Sequence, residues 1–89
     1  MKKRLNLGKP DVHGKIAVLG NAYRFRIVEL TQKEEFSITD LSKKLGLSYT
    51  KCADYVQLLN AQKLITKRRE GKLVFIRSIA SISDNGVSF

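Results

Sequence analysis

Apolar residues recur at helical spacing through the first two thirds of the chain and then switch to a period of two. Val12, Ile16 and Leu19 share one helical face, interrupted by Gly14. Gly20 closes that segment and Asn21 is placed to cap the next. From Ala22 to Gln32, Tyr23, Ile27 and Leu30 recur at i, i+4 and i+7, which predicts an amphipathic helix. Phe25 and Val28 widen its apolar surface beyond one stripe, predicting a second contact such as a dimer partner. Phe36-Ser37-Ile38 is a short alternating piece, and either Ser37 or Thr39 can cap the helix carrying Leu41 and Leu45. Gly46 ends that helix, because only glycine enters the left-handed region cheaply. Ser48 then caps a helix running through Tyr49 to about Gln62. Its buried face is Cys52, Val56 and Leu59, with Tyr55 at the edge and Tyr49, Thr50, Lys51, Asp54 and Gln57 outward. From Leu64 the alternation predicts a strand to Arg69, a turn at Glu70-Gly71 and a returning strand from Leu73 to Ser78. Residues 79–89 carry no strong pattern.

Helix, glycine turn and helix form a helix-turn-helix unit, whose second helix can lie in the DNA major groove. A basic hairpin directly after that helix is a wing. The order of parts therefore predicts a mainly α fold with a small β-wing (α+β), a winged helix-turn-helix at residues 12–78. A flexible basic arm at 1–11 precedes it and a short tail at 79–89 follows.

Charge sharpens this picture. The chain has 89 residues, 17 Lys plus Arg against 8 Asp plus Glu, and a net charge of +9. Such an excess points to a polyanion or merely to solubility, and its distribution favours the former. Residues 1–20 carry +4 and residues 64–78 carry +4, while 21–36 sum to zero and 48–63 to only +1. The arm (Lys2, Lys3, Arg4, Lys9) and the wing (Lys67, Arg68, Arg69, Lys72) are the anion-facing candidates. Thr39, Lys43 and Lys44 are candidates for backbone phosphate from the first helix of the unit. The second helix supplies hydroxyls, an amide and one lysine for base edges: Ser48, Tyr49, Thr50, Lys51 and Gln57. Asp54 either accepts from a cytosine amino group or pairs with Lys51 and orients it. Arg24 and Arg26 stand on a charge-balanced helix, reaching a phosphate or pairing with an acid such as Glu29.

Other chemistries are excluded or disfavoured. One His and one Cys leave no nucleophile–base pair, and no glycine-rich phosphate loop follows a strand, so an enzyme is a poor reading. Cys52 alone forms no intrachain disulfide or thiolate metal site, which fits a reducing cytoplasm. It reads as a core thiol in preference to a redox sensor. His13 has no partners at metal-ligand spacing, so neither metal nor cofactor is expected. No apolar run approaches the ~20 residues of a membrane span, and the charged N-terminus is not followed by a signal-peptide core.

The segments "LGNAYRFRIVEL", "FSITDLSKKLGLSYTKCADYVQLLNAQKLI" and "KRREGKLVFI" resemble winged helix-turn-helix transcriptional regulators of the ArsR (arsenic-repressor-like) type over roughly residues 16–78. The resemblance implies that the helix from Ser48 to Gln62 is the recognition helix, with Lys67, Arg68, Arg69 and Lys72 as the wing beside it. It implies double-stranded DNA as the partner. Three departures stand out. The family usually has Gly where this chain has Lys63, so the recognition helix is closed differently or under mild strain. The paired cysteines or His/Asp clusters of its metal sensors have no counterpart here. Residues 79–89 are too short and too Ser-rich for the long dimerising helix many members carry, so a homodimer would pair through the N-terminal helices. Two other readings stand beside sequence-specific DNA binding. One is a protein–protein assembly module using Phe25, Phe75 and Phe89 as exposed contacts, and the other is a non-specific DNA or RNA binder.

Overall fold

Local capping sets the helix boundaries. The computed structural model describes residue 14, residues 17–83 and residues 86–88. A helical turn at 17–19 leads into α1 (Ala22–Lys33), β1 (Phe36–Ser37), α2 (Ile38–Leu45) and α3 (Tyr49–Ala61). The strands β2 (Ile65–Glu70), β3 (Leu73–Ser78), β4 (Ser81–Ser83) and β5 (Gly86–Ser88) follow. Asn21 caps α1, its side-chain oxygen accepting from the N–H groups of Tyr23 and Arg24 at 2.9 and 3.1 Å. For α2 the structure selects Ser37 over Thr39: Ser37 Oγ accepts from Asp40 N at 3.0 Å. Gly46, at φ 69°, closes α2, and Leu47 N donates back to the Ser42 carbonyl at 2.8 Å.

Strands β1, β3 and β2 form an antiparallel sheet in that order, with Phe36 opposite Ile76 and Lys67 also opposite Ile76 across the other edge. The core lies between this sheet and the helices. Ile27 and Val28 of α1, Ile38 and Leu41 of α2, and Cys52, Val56 and Leu59 of α3 meet Leu64, Ile65, Ile76 and Ala80 there. Thr31 is buried with them because its hydroxyl donates to the Ile27 carbonyl at 2.7 Å, which satisfies it without a core partner. The predicted apolar face of α3 is the one buried.

Five expectations need correction. The face α1 turns inward is Ile27–Val28–Thr31. Tyr23, in its first turn, lies past the edge of the core and is 44% exposed. Val28, read as surface left over for a partner, is fully buried. The hairpin turn is Gly71-Lys72, since Glu70 still pairs with Leu73; Gly71 at φ 62° supplies the left-handed residue that a two-residue turn needs. The featureless tail forms a second hairpin, β4 with β5. Gln32 of α1 holds it. Its amide donates to the Ile82 carbonyl at 2.9 Å and accepts from the Ile82 N–H at 2.7 Å. Phe25 and Phe75, offered as exposed contacts, are half-buried. Lys2, Lys3, Arg4 and Lys9 of the arm, together with Val12, His13, Ile16 and Phe89, lie outside the described residues.

Candidate nucleic-acid interface

α3 presents two opposite faces because its apolar and polar residues are out of phase. Cys52, Val56 and Leu59 are buried, while Ser48, Tyr49, Thr50, Lys51, Asp54 and Gln57 are all exposed. Thr50, Asp54 and Gln57 stand at i, i+4 and i+7 and so form one stripe opposite the core. Ser48 starts the helix, its Oγ accepting from Lys51 N at 3.1 Å. That bond uses an acceptor pair and leaves the hydroxyl proton free to donate.

Lys51 does not pair with Asp54. Its ammonium stands 5.1 Å from the centre of the Tyr55 ring, one helical turn on. The Arg24 guanidinium lies 5.6 Å from the same ring, and its Nε donates to the Val18 carbonyl at 2.6 Å. Tyr23 stacks on Tyr55 with ring centres 5.9 Å apart and planes 16° apart. Thus α1 and α3 join at the surface through two tyrosines carrying two cations. The i+4 spacing from Lys51 to Tyr55 was readable in the sequence. The arrival of Tyr23 and Arg24 from another helix was not. Arg26 takes the ion-pair alternative, with Glu29 at 3.3 Å.

Lys43 and Lys44 are exposed on the last turn of α2, with Lys44 Nζ 5.9 Å from the centre of the Phe36 ring; Thr39 is half-buried on its first turn. On the wing, Lys67, Arg69 and Lys72 are exposed, Lys72 within the turn itself. Arg68 is different. Its Nε and Nη2 donate to the two oxygens of Glu35 at 3.1 and 2.7 Å, Nη1 donates to Glu70, and its guanidinium lies 4.7 Å from the centre of the Phe75 ring. The hydrogen bond from Arg68 holds the Glu35 carboxyl below its ordinary range, against a smaller opposing effect of desolvation. The same two carboxylates push the Arg68 guanidinium up.

α2 with a glycine turn, α3 packed across it and the β2–β3 hairpin directly behind make this chain a winged helix-turn-helix domain. No family model matches the chain. Among solved structures it is similar to NolR from Sinorhizobium fredii, with a TM-score of 0.73 and 26% identity over 94% of this chain and 85% of that one. It is also similar to HlyU from Vibrio cholerae, with a TM-score of 0.77 and 22% identity over 83% of this chain and 80% of that one. A third likeness is to a homodimeric winged helix-turn-helix DNA-binding domain from Mycobacterium bovis, a possible ArsR-family transcriptional regulator. There the TM-score is 0.73 and the identity 25%, over 78% of this chain and 64% of that one. In sequence the chain is 29% identical over 65 residues to the nodulation protein NolR of Rhizobium meliloti, covering 73% of this chain and 53% of that protein. The chain thus spans about half the length of the curated relative it matches.

Among the described residues no three His, Cys, Asp or Glu side chains come together as a metal site, and no helix is long and apolar enough to cross a membrane. A groove of about 600 Å³ opens beside α1 and β4, with Phe25, Leu30, Phe36 and Ile82 in its lining.

Proposed function

We propose that this protein is a sequence-specific double-stranded DNA-binding protein and a transcriptional regulator. The observation that carries the reading is the outward stripe of α3, where Thr50, Asp54 and Gln57 are exposed opposite a fully buried face. A helix packed on one side and polar on the other can enter a major groove without losing core contacts. Ser48, Tyr49, Thr50, Lys51, Asp54 and Gln57 read the groove. The wing grips the flanking backbone or minor groove, and Thr39, Lys43 and Lys44 meet phosphate from α2. Lys2, Lys3 and Arg4 add phosphate contacts from the arm. The recognition helix is close to neutral, so charge supplies grip and the hydroxyls and amide supply preference. The likeness to NolR and HlyU, and to a DNA-binding domain of M. bovis, supports this reading.

The protein works in the cytoplasm, without metal or cofactor, as a homodimer pairing through its N-terminal helices. The homodimeric state of the M. bovis domain supports the dimer. So do Phe25 and Leu30, half-buried on α1 beside the groove.

Selection from a random duplex pool at physiological salt, with the mass of the bound complex measured, tests both points. A palindromic consensus bound by two chains is expected. Enrichment of no sequence would reduce the function to non-specific binding. Retention of no duplex at any salt would leave an assembly module.

A further inference from the structure

We propose that Arg68 is a positioning residue that fastens the wing to the α1–β1 loop through Glu35, leaving Lys67 and Arg69, with Lys72 in the turn, as the cations the wing offers to DNA. The inference rests on the DNA-binding reading for its second half; the fastening itself does not. Lys67, Arg68 and Arg69 are consecutive, but they lie on a strand, where neighbouring side chains leave opposite faces of the sheet. The register sorts them. Lys67 pairs with Ile76 and Arg69 with Val74, so these two cations share the face of Ile76, which is fully buried against the helices. Arg68 pairs with Phe75 and leaves by the other face, where Thr66, Glu70 and Arg77 also lie. Glu35 precedes Phe36, which is opposite Ile76 across β1 and β3, so its side chain also falls on the face of Arg68.

On that face Arg68 is held on three sides. Two parallel N–H···O bonds to Glu35, a bond to Glu70 and the Phe75 ring beneath the guanidinium use three of its five N–H donors and one π-face. Glu35 and Glu70 balance the charges of Arg68 and of Arg77 on the same face, so a phosphate approaching there meets no net positive charge. The planar fork matters as much as the charge. A two-point contact between residues 33 positions apart fixes the angle at which β2 leaves the core, which a point charge on a flexible stem does not. Exposed ion pairs contribute little to global stability, so the effect falls on the wing and not on the fold.

The test uses the full chain and the variants Lys67→Ala, Arg69→Ala, Arg68→Ala, Arg68→Lys, Glu35→Gln and the Glu35→Gln/Arg68→Ala double. Binding to a 20–30 base-pair duplex is measured across salt, and amide exchange is followed in the free protein. Lys67→Ala and Arg69→Ala are each expected to flatten the log–log salt slope by about 0.9. Arg68→Ala should leave the slope unchanged and weaken affinity by no more than about fivefold, the ceiling for an exposed pair. Arg68→Lys, which keeps the charge but loses the fork, should behave like Arg68→Ala. In the free protein, amides of β2 and β3 should exchange faster in the Arg68 variants and in Glu35→Gln, with α3 unchanged. The double variant should be no faster than either single. A slope loss in Arg68→Ala equal to that of Lys67→Ala, or wing amides unmoved in Arg68→Ala and Glu35→Gln, would overturn the proposal. If the parent binds no duplex, the DNA-binding reading fails while the amide exchange still decides the fastening.

Discussion

Lys63 donates its backbone N–H to the carbonyl of Asn60 at 3.0 Å while standing at φ 59°, in the left-handed region that a side chain enters only at a cost. Leu64 N donates to Leu59 O at 3.0 Å, completing the paired bonds that end α3. Both leucines are fully buried, so the turn brings the chain back into the core just before β2. The sequence expectation of strain at this position is met at one residue. Replacing Lys63 with Gly should stabilise the protein by about 1 kcal/mol, a rise of roughly 4–8 °C in melting temperature for a domain this size. Lys63→Val should lower it.

Gly46 closes α2 with the same handedness, at φ 69° and ψ 33°. A Cβ there would have no atom within 4 Å, so an alanine meets no clash and the penalty is the backbone alone. Gly46→Ala should cost about 1–2 kcal/mol in urea unfolding, with the dependence on denaturant unchanged.

Gln32 satisfies both backbone groups of Ile82 and is the polar tie between α1 and the β4–β5 hairpin. Gln32→Ala should cost about 1–2 kcal/mol, since two half-buried hydrogen bonds are lost. The larger effect should be local. Amide exchange at Ile82 should accelerate more than at Ile76 in the central strand.

Cys52 is fully enclosed, and burial pushes its thiol from 9.0 up to about 11. In the folded protein the thiol therefore stays protonated where the unfolded chain has begun to ionise. Stability is complete below pH 9 and falls as pH rises from 9 toward 11, on the order of 1 kcal/mol per pH unit. Unfolding of the parent at pH 8 and pH 10, compared with Cys52→Ala, isolates this part. Native protein at pH 8 should react with a thiol reagent far more slowly than in urea, as a core thiol and not a redox sensor does.

Thr50 and Gln57 flank Asp54 on the outward stripe of α3 and carry no charge. Replacing both with Ala should shift the selected duplex consensus while leaving the salt slope of binding unchanged. Identical consensus sequences for variant and parent would remove them from base reading.

Most of the fold was legible because its signals are local. Asn21, Ser37 and Ser48 bond N–H groups two or three residues away, and Gly46 acts on the turn just before it, so each boundary lies within a short window. The face of Cys52, Val56 and Leu59 was readable for the same reason. The exposed face of α3 followed from it. The tail hairpin was missed because two three-residue strands are too short for alternation to register, and because its anchor sits 50 residues away on Gln32.

By itself, then, the sequence determined the helices, their caps, the glycine turn and the period change that makes a wing. These depend on hydrogen bonds and side-chain spacing within a few residues. It also placed three cations in a row at 67–69. Only the tertiary structure decided what each of them faces. Pairing with β3 assigns Lys67 and Arg69 to one face and Arg68 to the other, and only folding brings Glu35 to Arg68 across 33 residues and Tyr23 to Tyr55 between two helices. Charge along a chain is a sum; which charges remain free is a matter of neighbours, and neighbours distant in sequence exist only once the core has closed.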